Sequence, residues 1–122
     1  MPARILVVDD DRSLLALLVE ILQGEGYDVA AARNGAEALE QVAETVPTVL
    51  VTDLTMPVMD GASLVRACRA APATAAVPIL IMSAALPALL ESLAQVGVAD
   101  ALHKPFDYDV FVATIARLVA RA

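Results

Sequence analysis

Aromatic residues make up only 3% of this 122-residue chain, and tryptophan is absent. A core without large rings has to be aliphatic and padded with alanine, and hydrophobic residues do reach 59%. The single cysteine, Cys68, excludes an internal disulfide and suits a reducing compartment. It shares an apolar stripe with Leu64 and Val65, so it reads as a small core residue. The single histidine, His103, stands at the end of a short apolar run and is given no catalytic role. Positive charge is scarce too: 8 Lys and Arg face 15 Asp and Glu, for a net charge of -7 and a pI near 4.4. No Lys/Arg cluster appears, which argues against direct contact with nucleic acid. A chain of this length suits one domain, 1–122, with one core.

One uncharged stretch, 70–90, is long enough to span a bilayer. It contains Pro72, Pro78 and Pro87 together with Thr74 and Ser83, and three prolines break the helix that a span requires. It reads instead as loop, buried strand and the start of a helix. The N-terminal MPARILVVDDD turns acidic too soon for a signal peptide. A cytoplasmic protein with no membrane contact is expected.

Five short apolar runs, 4–8, 27–32, 48–52, 77–82 and 99–103, alternate with five segments of helical period. Continuous rather than alternating hydrophobicity marks strands covered on both faces, as in a parallel sheet. The helical stripes are Leu14, Leu18 and Leu22; Leu39, Val42, Ala43 and Val46; Leu64, Val65 and Cys68; Leu86, Leu89, Leu90 and Leu93; and Phe111, Ile115, Leu118 and Val119. Gly24 and Gly26 close the first helix, while Asn34, Asp60 and Asp107 are placed to cap the second, third and fifth. Alternating βα units with right-handed crossovers give a three-layer α/β/α sandwich with five strands and five helices.

Ligands of open parallel sheets bind beyond the carboxyl ends of the strands. Asp9, Asp10 and Asp11 follow the first run, Asp53 ends the third, Ser83 ends the fourth and Lys104 lies just past the fifth. With the flavodoxin-like strand order 2-1-3-4-5, Asp9, Asp10 and Asp53 come from strands about 4.8 Å apart. Three carboxylates that close repel one another, which raises a pKa or recruits a cation. Hard oxygen donors with no His or Cys beside them suit Mg²⁺. Lys104 and Ser83 add a cation and a hydroxyl. An aspartate so placed can attack phosphorus and become an aspartyl phosphate. Asp11, nearest the first helical turn, reads as its cap.

These residues resemble the receiver domain of bacterial two-component response regulators, over essentially the whole chain. The resemblance rests on ILVVDDD at 5–11, RNGAEAL at 33–39, TDLTMPVMDG at 52–61, PILIMSA at 78–84 and HKPF at 103–106. It implies a chemotaxis-regulator-like switch rather than an enzyme, whether stand-alone, a relay component or part of a longer regulator, with Asp53 as phosphoacceptor. It further implies that Asp10 binds Mg²⁺ directly and Asp9 largely through water, with the Thr55 main-chain carbonyl as another ligand. Ser83 is then the hydroxyl that moves toward the phosphoryl group, Lys104 is its ion-pair partner, and the Lys104–Pro105 peptide bond is cis. The implied partners are a sensor histidine kinase or histidine phosphotransfer protein, and a downstream protein or second copy docking on the fourth helix, fifth strand and fifth helix. One position departs from the pattern: Ala101 stands where receivers usually carry a Tyr or Phe that swings inward, so that rotamer switch cannot operate. Two other readings are a phosphohydrolase working through an aspartyl phosphate, and a pseudo-receiver that docks partners without phosphorylation. The first lacks an acid at Thr55, two residues beyond Asp53; the second usually loses acids that this chain keeps.

Overall fold

A computed structural model of the chain describes residues 2–54, 56, 58–84 and 97–122. Five strands, β1 (Arg4–Val8), β2 (Asp28–Ala32), β3 (Val49–Asp53), β4 (Ile79–Ser83) and β5 (Asp100–His103), form one parallel sheet in the order β2-β1-β3-β4-β5. Among the described residues four helices accompany them: α1 (Arg12–Gly24), α2 (Gly35–Glu44), α3 (Gly61–Ala70) and a C-terminal helix (Tyr108–Arg121). The expected fourth stripe, Leu86 to Leu93, and with it that part of the expected docking face lie outside the described residues.

Period-two alternation sends β1 side chains to opposite sides of the sheet. Ile5 and Val7 join Val49, Val51, Leu80 and Met82 in the layer under α1 and the C-terminal helix, which contribute Leu15, Leu18, Leu22, Phe111, Ile115 and Leu118. Leu6 and Val8 join Leu50, Ile79 and Ile81 in the layer under α2 and α3, with Ala38, Val42, Leu64, Val65 and Cys68. Cys68 is buried, as its stripe implied. The buried face of α1 runs through Leu15 rather than Leu14, which is left half-buried at the rim.

The two outer strands depart from the expectation of full burial. β2 and β5 are partly exposed because the strand order leaves each as a sheet edge, whereas β3 and β4 are buried throughout. Two inner strands also begin and end later than their apolar runs. Pro78 has no N–H to donate, so β4 starts at Ile79, and both β3 and β4 carry through to the polar residues Asp53 and Ser83.

The expected caps are in place. Asp11 accepts hydrogen bonds from the amides of Ser13 and Leu14, Asn34 from Glu37, Asp60 from Ser63 and Asp107 from Asp109. Past α1 the chain turns at Gly26, whose φ of 91° favours glycine. The uncharged stretch 70–90 contributes the end of α3, a turn and β4. Among the described residues no helix is long and apolar enough to cross a membrane.

Candidate functional site

The carboxyl ends of β1, β3, β4 and β5 bring the polar residues to one edge of the sheet. β1 and β3 are neighbours with Val8 opposite Thr52, so the next residues, Asp9 and Asp53, meet side by side. Carboxylate oxygens of Asp9, Asp10 and Asp53 lie within 4.8 Å of one another. Their surroundings differ. Asp9 is fully buried and Asp53 is 7% exposed, while Asp10 opens to solvent.

Both oxygens of Asp9 are engaged. Oδ1 accepts the amide of Asp11 at 3.0 Å, and Oδ2 accepts the Lys104 ammonium at 2.7 Å. Lys104 starts beyond β5, two strands away from β3, and spans the tip of β4 to reach the acids. Its Nζ also lies 3.3 Å from Asp53 Oδ1, so one cation touches two buried carboxylates. The Lys104 amide donates to the carbonyl of Ser83 at 2.9 Å, which ties the loop after β5 to the end of β4. The Lys104–Pro105 bond is cis, as the resemblance implied.

Burial pushes the Asp53 carboxyl above its usual range; Lys104 opposes that shift and the neighbouring Asp9 adds to it. Burial alone would lower the Lys104 ammonium, but its contacts with Asp9 and then Asp53 outweigh that and raise it. Negative charge is therefore in excess at this edge. Three carboxylates with one lysine among them, and Asp10 open to solvent, form a donor set that fits a hard divalent cation.

The backbone of Asp53 is fixed from two sides. The Thr52 hydroxyl donates to the Asp53 carbonyl at 2.9 Å, and the Gly61 amide donates to the Leu54 carbonyl at 2.9 Å. The start of α3 sits so close that a Cβ on Gly61 would lie 2.2 Å from the Asp53 carbonyl oxygen. Gly61 was not singled out in the sequence. The signal that could have found it is a glycine directly after a capping aspartate, where alanine would make a better helix.

Ser83, 1% exposed, ends β4 opposite His103, which is exposed. Ala101 packs against the α2–α3 core layer, a contact too small to serve as a swinging ring. The Thr55 carbonyl, expected as a metal ligand, lies outside the described residues.

Comparison with known proteins decides the family. A model of the response regulator receiver domain matches residues 5–116. The chain belongs to that family. Among its relatives, the transcriptional regulatory protein ZraR of Escherichia coli K12 is 41% identical over 118 residues, covering 95% of this receiver and 26% of ZraR. The transcriptional regulatory protein PrrA of Mycobacterium leprae is 40% identical over 118 residues, covering 97% of this receiver and 50% of PrrA. The receiver thus spans about a quarter to a half of those relatives' lengths. Among solved structures, the chemotaxis response regulator CheY4 of Vibrio cholerae superimposes with a TM-score of 0.91 at 32% identity, covering 97% of this receiver and 99% of CheY4. The non-phosphorylated HemR receiver domain of Leptospira biflexa gives 0.88 at 28% identity, covering 98% and 94%.

Proposed function

We propose that this receiver is a phosphorylation-dependent signalling switch of a two-component system. Asp53 takes a phosphoryl group from the phosphohistidine of a sensor histidine kinase or histidine phosphotransfer protein, and the change alters partner binding. The observation that carries this reading is the Lys104 ammonium, in contact with both Asp9 and Asp53, beside a third acid that is free to face solvent.

In the transfer an Asp53 oxygen attacks phosphorus, the phosphorus–nitrogen bond breaks, and its electron pair leaves with the imidazole. The fixed Asp53 peptide holds the nucleophile in place, so positioning is supplied before the donor arrives. Lys104 offsets charge on the transferred oxygens without reorganising, because Asp9 already anchors it. The Ser83 hydroxyl moves toward the phosphoryl group and reports its presence. Mg²⁺ suits the donor set: Asp10, Asp53 and the Thr55 carbonyl would hold it directly and Asp9 through water, Thr55 resting on the resemblance alone. When bound, the ion supplies further positive charge to the phosphoryl oxygens.

The receiver acts as a phosphoacceptor that assists its own modification and is not an enzyme acting on a separate substrate. It works in the cytoplasm. Its downstream partner, or a second copy in a homodimer, docks on a face that includes β5 and the C-terminal helix.

The test is the intact mass of the protein after incubation with Mg²⁺ and phosphoramidate. A labile adduct of one phosphoryl group is expected, lost in Asp53→Ala and on chelation of the metal. An unmodified protein, or an adduct that survives in Asp53→Ala, overturns the proposal; multiple turnover of phosphomonoesters would identify a hydrolase instead.

A further inference from the structure

Three of the chain's four aromatic rings gather on one side of the acidic hollow. Phe106 stacks on Phe111 at 5.6 Å and meets Tyr108 edge-on at 6.2 Å. Beside them is a cavity of about 320 Å³ lined by Asp11, Leu14, Lys104, Pro105, Phe106 and Tyr108. That volume falls at the small end of the range for ligand sites, and the lining is mostly apolar with two charged groups. Lys104 belongs both to this cavity and to the Asp9–Asp53 cluster, so the cavity adjoins the phosphoryl site.

Asp11 gives the cavity its sign. Its Oδ1 accepts from the amides of Ser13 and Leu14, which fixes the carboxylate at the cavity wall. Lys104 lines the cavity too, but its ammonium is turned to Asp9 and Asp53. A flat ring with a positive edge matches this lining: aromatic and proline surfaces take its faces, and a carboxylate takes an N–H.

We propose that this cavity is the leaving-group subsite of the phosphoryl transfer, and that Asp11 makes it select a protonated heteroaromatic leaving group over an anionic one. The inference rests on Asp53 being the phosphoacceptor. As the Asp53 oxygen–phosphorus bond forms and the phosphorus–nitrogen bond breaks, the bonding pair stays on the departing ring nitrogen. The proton on the ring's other nitrogen stays there, held toward Asp11, so the ring departs as neutral imidazole rather than as an anion. A carboxylate leaving group, as from acetyl phosphate, has no such proton and is repelled by Asp11.

The test compares imidazole phosphate and acetyl phosphate as donors for the full chain with Mg²⁺, in the wild type and in Asp11→Asn. Asparagine keeps the cap, so the fold is retained. The variant should take phosphate from imidazole phosphate roughly threefold more slowly and from acetyl phosphate roughly threefold faster, about a tenfold change in the ratio at the strength of an exposed charge contact. Tyr108→Ala, on the rim, should lower the ratio of imidazole phosphate to phosphoramidate, because phosphoramidate's leaving group has no ring. Equal changes with both donors in Asp11→Asn overturn the subsite while leaving Asp53 as acceptor. Failure of every donor to modify the wild type overturns the underlying reading and the subsite with it.

Discussion

Replacing Gly61 with alanine sets two effects of opposite sign against each other at the place where α3 begins. Alanine is the better helix former by roughly 1 kcal/mol, so an unobstructed site would gain stability. Here the added Cβ would lie 2.2 Å from the Asp53 carbonyl oxygen and 2.9 Å from the Leu54 Cα, both backbone atoms that cannot rotate away. Restoring ordinary contact means moving the start of α3, or the Asp53 peptide, by roughly an ångström. Overpacking of this kind costs roughly 1–3 kcal/mol, enough to cancel the helical gain and leave a net loss of up to about 2 kcal/mol. Gly24, at the end of α1 with no atom within 4 Å of an added Cβ, is the internal control. Its alanine variant should gain about 0.5–1 kcal/mol. Urea unfolding of the three proteins measures both values. Displacing Asp53 by an ångström should also slow phosphoryl uptake by up to about a hundredfold, while Gly24→Ala leaves it unchanged. A Gly61→Ala protein as stable and as reactive as the wild type would refute the claim that the α3 start fixes the acceptor.

Lys104→Met removes the cation shared by two buried carboxylates and should cost roughly 3 kcal/mol in urea unfolding at pH 7; a neutral result would mean the acids do not depend on it. Asp53 is held above its usual carboxylate range by burial, against Lys104 and with Asp9 adding to the rise. The fold therefore favours its neutral form, a contribution that is complete below the ordinary carboxylate pKa and lost as pH rises through the raised one. Asp53→Asn should accordingly be more stable than wild type at pH 7, with the difference shrinking toward about pH 4, as melting temperatures across that range would show. Mg²⁺ should raise the wild-type melting temperature with concentration. That rise should be much smaller in Asp10→Asn, and an equal rise would place the ion elsewhere.

The layers and the membership of the acidic cluster were legible in the sequence because each rests on a periodic or positional signal, whereas the strand order was taken from the flavodoxin-like pattern and is borne out by the sheet. Apolar runs fixed β1, β3 and β4, and the residue that ends or follows each run pointed to Asp9, Asp53 and Ser83. Edge exposure was not legible: VAAA in β2 is as apolar as an inner strand, and only its place in the sheet leaves it half open. Contacts far apart in sequence were equally hidden. Nothing marks Arg69, whose guanidinium donates to the carbonyls of Thr74, Ala75 and Gly97 and fastens the end of α3 to the approach of β5. Nor does the sequence show that Lys104 turns to Asp9 more closely than to Asp53, or that the scarce aromatic rings meet beside the site. Such facts depend on where side chains end, which composition and spacing do not encode.

The central claim is that Asp53, and no other acid at this edge, receives the phosphoryl group. After reaction with phosphoramidate and Mg²⁺, borohydride reduction converts an aspartyl phosphate to homoserine, which peptide mass spectrometry can locate. Homoserine at position 53 is the expected result. Homoserine at position 9 or 10, or at none, would contradict the account.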